Sequence, residues 1–102
     1  MRRGKSDSNH SEICAALRKA GAHVIDLKGV GSGVADIAVL FRGETHWLEI
    51  KSGRSAVQRK DATADRQREF RDRCQERGVH VYIVTTRDEA LRAIGARREA
   101  ND

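Results

Sequence analysis

GSGVADIAVLFRGETHWLEIKSG, residues 31–53, alternates as two strands joined by a tight turn, yet it threads Asp36, Glu49 and Lys51 through otherwise apolar runs. With Gly43-Glu44 as a two-residue turn, the glycine supplies the positive φ of a type II′ turn at its first position. Asp36 then faces Lys51, Ala38 faces Glu49 and Leu40 faces Trp47, and directly opposed residues share a sheet face. Asp36 and Glu49 become diagonal neighbours, about 7 Å apart at the backbone. A four-residue loop preserves this parity, whereas a three-residue loop sends Asp36 to the face opposite Glu49. The other face carries Ile37, Val39, Phe41, Leu48 and Ile50. Apolar residues on both faces predict central strands covered on two sides.

Two carboxylates close together in a partly dry site repel each other and lose hydration, so unless one stays protonated they call for positive charge. Lys51 supplies one such charge. A hard divalent cation, Mg²⁺ or Mn²⁺, is the natural second, because such ions favour oxygen ligands and keep several waters. The competing reading is a structural ion pair, or solvated charges on an edge hairpin; an edge hairpin would show one polar face, and neither face here is polar throughout.

Working outward, residues 1–9 are polar and basic without apolar periodicity and are expected to form a loose arm. Ile13, Ala16, Leu17 and Ala20 recur at the spacing of one helix face, with Asn9 or Ser11 as cap and Gly21 as stop. HVIDLK, residues 23–28, reads as a strand, and GVGSG after it as a connection built for unusual backbone angles. Strands over 35–41 and 45–51 follow. Beyond the polar stretch SGRSAVQRKDATA, a second helix carries Gln67, Phe70 and Cys74 on one stripe and closes at Gly78. VHVYIVTT, residues 79–86, is rich in β-branched residues and reads as a fourth strand. Thr86-Arg87-Asp88-Glu89 is a capping box, with Ala90, Leu91 and Ile94 lining the helix behind it. The order α-β-β-β-α-β-α predicts an α/β (α+β) domain over 10–98 with a mixed sheet and a loose terminus at 99–102.

The chain of 102 residues suits one core, and its 20 basic against 15 acidic residues give a formal charge of +5, which fits a polyanionic partner such as nucleic acid. Arg54, Arg59, Lys60, Arg66 and Arg68 cluster between the third strand and the second helix, where they could clamp phosphates; arginines on a helix also form its wet face. Cys14 and Cys74 lack zinc or redox spacing and are expected as buried free thiols. His10, His23, His46 and His80 show no ligand spacing either, and Trp47 reads as core. A polar SDSNH follows MRRGK, and no apolar run approaches membrane-spanning length; the expected compartment is the cytoplasm of a cell or of an infected host, with no membrane partner.

Asp36, followed across a hairpin by Glu49-Ile50-Lys51, resembles the PD-(D/E)xK nuclease signature. The context is more specific: SEICAALRKAG on the first helix, a glycine-rich lead into the aspartate, EIKSG, a helix containing RQREF, then GVHVYIVTTRDEA. That succession, from Glu12 to Leu91, resembles the virus-type replication-repair nuclease (VRR-NUC) group. The resemblance implies a restriction-endonuclease-like core, a divalent metal (Mg²⁺ or Mn²⁺) and hydrolysis of phosphodiester bonds in DNA. It implies Asp36, Glu49 and the carbonyl of Ile50 as metal ligands, Lys51 as the catalytic lysine, Glu12 as an acid assisting the metal and Gln67 as the glutamine of the following helix. Ala35 departs from the signature, which has proline there. Small stand-alone members resemble homodimeric junction resolvases, which implies a homodimer acting on four-way or branched DNA. A catalytically silent DNA-binding or assembly module with the same fold is the alternative, and an RNA-directed nuclease a third.

Overall fold

The computed structural model describes residues 5–52 and 62–96. The elements are α1 (Lys5–Lys19), β1 (His23–Asp26), β2 (Ile37–Phe41), β3 (Glu44–Ile50), α2 (Ala62–Glu76), β4 (Val81–Val84) and α3 (Arg87–Ala93), in the order the sequence predicts. One sheet runs β1-β2-β3-β4. β1 and β2 pair antiparallel, as do β2 and β3, while β3 and β4 pair parallel across the α2 crossover. β2 and β3 are therefore the central strands.

The hairpin corrects the expected register. The turn is Arg42-Gly43, with φ of 50° and 81°. Two successive left-handed residues make a type I′ turn, whose twist suits adjoining strands better than a type I turn. Glycine thus takes the second central position, and Glu44 is already in β3. The pairs are Ala38 with Trp47 and Leu40 with Thr45, rather than Ala38 with Glu49 and Leu40 with Trp47. The slip is two residues, so parity survives and every side chain keeps its predicted face.

One face builds the core. Ile37, Val39, Phe41, Leu48 and Val84 pack with Ile13, Cys14 and Leu17 of α1 and with Ala90 and Ile94 of the α3 end. Ile13, Leu17, Ile37, Val39 and Leu48 are wholly removed from solvent, and burial on that scale contributes about 1.5–3 kcal/mol for each large aliphatic side chain. Residues 5–9 belong to α1 rather than to a loose arm, and Asn9 lies within the helix instead of capping it.

The opposite face is covered only in part, against the expectation of two buried sides. Ala38 and Val81 are buried and Glu49 is fully buried, but Ile25 and Leu40 are 39% exposed and Ile83 is 50% exposed. Directly paired residues share a face, so Ile25 beside Ala38 and Ile83 beside Glu49 lie on this side. Cys74 is half-buried, whereas Cys14 is buried as expected. At the last helix Thr86 accepts from the Glu89 N–H at 3.1 Å, while Glu89 reaches past Thr86 to the Thr85 N–H and hydroxyl at 2.6 and 2.9 Å.

Candidate active site

Asp36 immediately precedes β2, and its backbone leaves the regular ladder there. Its N–H donates to the Leu48 carbonyl at 3.1 Å, and its carbonyl accepts from the Leu27 N–H at 2.8 Å. Its side chain takes over a backbone role, Oδ2 accepting from the Ile50 N–H at 2.7 Å. The paired register ends at Ile37 with Leu48, so Asp36 is paired with no residue of β3. The expected opposition of Asp36 to Lys51 is corrected accordingly. Burial pushes the Asp36 carboxyl above its usual range; the Ile50 N–H works against that shift, Glu49 adds to it, and Lys51 and His10 oppose it more weakly. Asp36 has no ion-pair partner among the described residues.

Glu49 is the one buried charged residue among the described residues, with 0% exposure. An unpaired carboxylate there would be very costly, and two cations answer it. Lys51 Nζ lies 2.9 Å from Oε2, and Arg71 Nη1 donates to Oε1 at 2.8 Å and to Oε2 at 3.0 Å. Lys51 Nζ also donates to Gln67 Oε1 at 2.6 Å. Its backbone continues the parallel ladder through an N–H donated to the Val84 carbonyl at 3.0 Å. The Lys51 carbonyl accepts from Asn9 Nδ2 of α1 at 3.1 Å.

The position of α2 depends on a close approach. Gly33 has φ of +78°, and a Cβ built on it would fall 2.5 Å from the Arg66 carbonyl carbon and oxygen. Only glycine allows the loop before Asp36 to rest on the α2 backbone at that distance. This contact helps hold the helix in the place from which Gln67 reaches Lys51 and Arg71, one turn later on the same helix face, reaches Glu49.

Asp36, Glu49, Lys51 and Gln67 are thus gathered at one end of the sheet, with Ile50 beside them. Glu12 is not among them. Its side chain is 56% exposed and lies 3.5 Å from Arg87 Nε, because its angle on α1 faces the last helix rather than the acid pair. α1 instead reaches the site from one turn earlier, through Asn9 and through His10, whose Nε2 is 3.7 Å from Asp26 Oδ2. Arg66 is exposed. Arg68 is exposed and paired with Asp65 at 3.2 Å. Arg54, Arg59 and Lys60 lie outside the described residues. Arg71 and Asn9 escaped sequence reasoning; the spacing of Arg71, four residues beyond Gln67, was the available signal.

Two carboxylates and a main-chain carbonyl offer hard oxygen ligands of the kind Mg²⁺ binds with one or two carboxylates and several waters. The donor chemistry therefore fits such an ion, although Glu49 would have to share or release its guanidinium partner. Among the described residues no group of three or more His, Cys, Asp or Glu side chains is gathered for a metal.

The sequence matches no protein-family model, and no curated protein matches it. A solved structure described as "VRR_NUC domain" is similar to this chain with a TM-score of 0.64 and 23% sequence identity, covering 90% of this chain and 96% of that one. The likeness shows the fold: this chain has the architecture of a VRR-NUC domain, in agreement with the element order read from the sequence. No helix among the described residues is long and apolar enough to cross a membrane.

Proposed function

We propose that this chain, whose fold is that of a VRR-NUC domain, is a divalent-metal-dependent endonuclease that hydrolyses phosphodiester bonds in DNA, with branched or four-way DNA as its substrate and a homodimer as its working form. The observation that carries the proposal is the convergence of Lys51 on Glu49 at 2.9 Å and on Gln67 at 2.6 Å, beside an Asp36 carboxyl that burial pushes up. A buried and a half-buried carboxylate beside a directed ammonium group are an arrangement suited to phosphoryl chemistry.

Asp36, Glu49 and the Ile50 carbonyl would hold Mg²⁺ or Mn²⁺. Such an ion supplies Lewis acidity towards a phosphoryl oxygen and lowers the pKa of water. The chain's own residues do the rest. An ammonium group has three N–H donors; Lys51 donates one to Gln67 and stands in ion-pair contact with Glu49. Its remaining donor capacity would orient an attacking water or offset negative charge on the phosphate oxygens. Gln67 fixes the ammonium rotamer, and Asp36 is fixed in turn by the Ile50 N–H. The water oxygen bonds to phosphorus and gives up a proton to solvent, the bridging P–O bond breaks, and the leaving oxygen takes up a proton from solvent.

The rival reading is a silent DNA-binding or assembly module, and one observation favours it: both Glu49 oxygens already accept from Arg71. A cleavage panel of single-stranded, duplex, flap and four-way DNA, with an RNA of equal length, separates the readings. The nuclease reading expects cutting in Mg²⁺ or Mn²⁺, strongest on branched DNA, and its loss in Asp36→Asn and Glu49→Gln with DNA binding retained. A wild type that cuts none of these in either metal leaves the silent module standing, and preference for the RNA transfers the proposal to that substrate.

A further inference from the structure

Resting on the metal-site reading above, we propose that Arg71 is a displaceable counter-ion of Glu49: it neutralises the buried carboxylate while no metal is bound, and it gives that carboxylate up when a divalent cation enters. The geometry is specific. One guanidinium nitrogen bridges both Glu49 oxygens at 2.8 and 3.0 Å, covering the carboxylate edge from which a cation would be held. Glu49 is fully buried, whereas the Arg71 side chain is 28% exposed and so retains a way out to solvent.

Charge decides the direction of the effect. Asp36 and Glu49, when ionised, are balanced by Lys51 and Arg71, so the site is neutral without metal. A divalent cation added to this set creates an excess of two positive charges at short range, in a place where screening by water is poor. Lys51 is held by Gln67 as well as by Glu49. Arg71 has no hydrogen-bond acceptor other than Glu49 among the described residues, so it is the cation that yields. A freed guanidinium at the edge of the site is a planar donor suited to a phosphate. Arg71 therefore links the two occupants: it opposes metal in the DNA-free protein and ceases to oppose it once a phosphate can take the guanidinium. A merely structural arginine would have the opposite effect on metal, since its removal would disorder Glu49 and weaken binding.

The test is Mn²⁺ binding to the DNA-free protein by calorimetry, comparing wild type, Arg71→Gln and Asp36→Asn, with thermal melts to establish that each is folded. Arg71→Gln is expected to bind Mn²⁺ about tenfold more tightly than wild type, within the range of ordinary coupling between two ligands, and Asp36→Asn more weakly. In the wild type itself, Mg²⁺ titration followed by NMR should move the Arg71 Nε–H signal together with the Ile50 amide. This measurement holds even if Arg71→Gln does not fold. Unchanged or weaker binding by folded Arg71→Gln, or an Arg71 signal that stays put while the Ile50 amide shifts, overturns the counter-ion. Absence of Mg²⁺ or Mn²⁺ binding in every form overturns the metal site itself, and the counter-ion with it.

Discussion

Gly31 and Gly33 provide a matched pair for testing what holds α2 against the site. Their φ values are +77° and +78°, so an alanine at either position bears a similar backbone cost, of order 1–2 kcal/mol for the left-handed region. Their surroundings differ. A Cβ at Gly31 meets nothing within 4 Å, whereas one at Gly33 falls 2.5 Å from the Arg66 carbonyl carbon and oxygen and 2.7 Å from its Cβ. The partner is helix backbone, which cannot turn aside as a side chain can, so the loop or α2 must move. Overpacking of this kind costs about 1–3 kcal/mol beyond the backbone term. Gly31→Ala should therefore lose about 1–2 kcal/mol and Gly33→Ala about 2–5 kcal/mol in urea unfolding followed by circular dichroism. At about 4–8 °C per kcal/mol for a domain near this size, the two melts should be well separated. Displacement of α2 would also carry Gln67 and Arg71 away from Lys51 and Glu49, so only Gly33→Ala should alter metal binding. Equal losses at the two positions would refute the claim that the close approach at Gly33 holds the helix.

Other outcomes follow from the same geometry. Leu48→Ala empties a fully buried position at the centre of β3 and should cost about 2–5 kcal/mol by chemical denaturation; a loss below 1 kcal/mol would mean that the core collapses to fill the gap. Thr86→Ala removes the cap that accepts from Glu89 and should cost about 1 kcal/mol in the same assay. Glu89, held below its ordinary range chiefly by the Thr85 N–H and then by the Thr85 hydroxyl, contributes stability present above the unfolded carboxylate range and lost as pH falls through its lowered pKa. Melts from neutral to acid pH should show a smaller acid-side decline in Glu89→Gln than in wild type. Asp36 has the opposite sign: its pKa is raised, so its contribution is present at acid pH and lost as pH rises through that value. Asp36→Asn should consequently melt at or above wild type near neutral pH, with the difference fading on acidification; a lower melt at neutral pH would contradict the assignment of burial as the main cause.

The element order and the face of each hairpin residue were legible because both depend on short-range pattern: period-two alternation, glycine positions and the Thr86–Glu89 cap. Parity was robust for the same reason, since a slip of two residues leaves every side chain on its side. The turn itself was misplaced because Arg42, an unremarkable residue by propensity, takes a left-handed conformation that sequence alone does not announce. The start of α1 was missed because its first residues are polar; a helix end without an apolar stripe has no periodic signal. Lys51 and Gln67 could be named from local motifs, while Arg71 and Asn9 owe their places to contacts across 22 and 42 residues. Glu12 illustrates the cost of carrying over a helix acid without knowing which turn of the helix reaches the site. On α1 it is Asn9, one turn earlier, that touches the Lys51 carbonyl, while Glu12 meets Arg87.

The hydrogen bond from the Ile50 N–H to Asp36 Oδ2 bears on what the identity of residue 36 can say about the proposed chemistry. That main-chain donor is part-buried, and stranding it without an acceptor costs about 1–3 kcal/mol. A chain of this fold without the proposed activity would still be held to an oxygen-bearing side chain at position 36 for the sake of folding. An aspartate there is consequently a poor witness to chemistry. Position 51 differs in kind: the backbone of Lys51 serves the sheet with any side chain attached, while its ammonium group answers the buried Glu49 and Gln67.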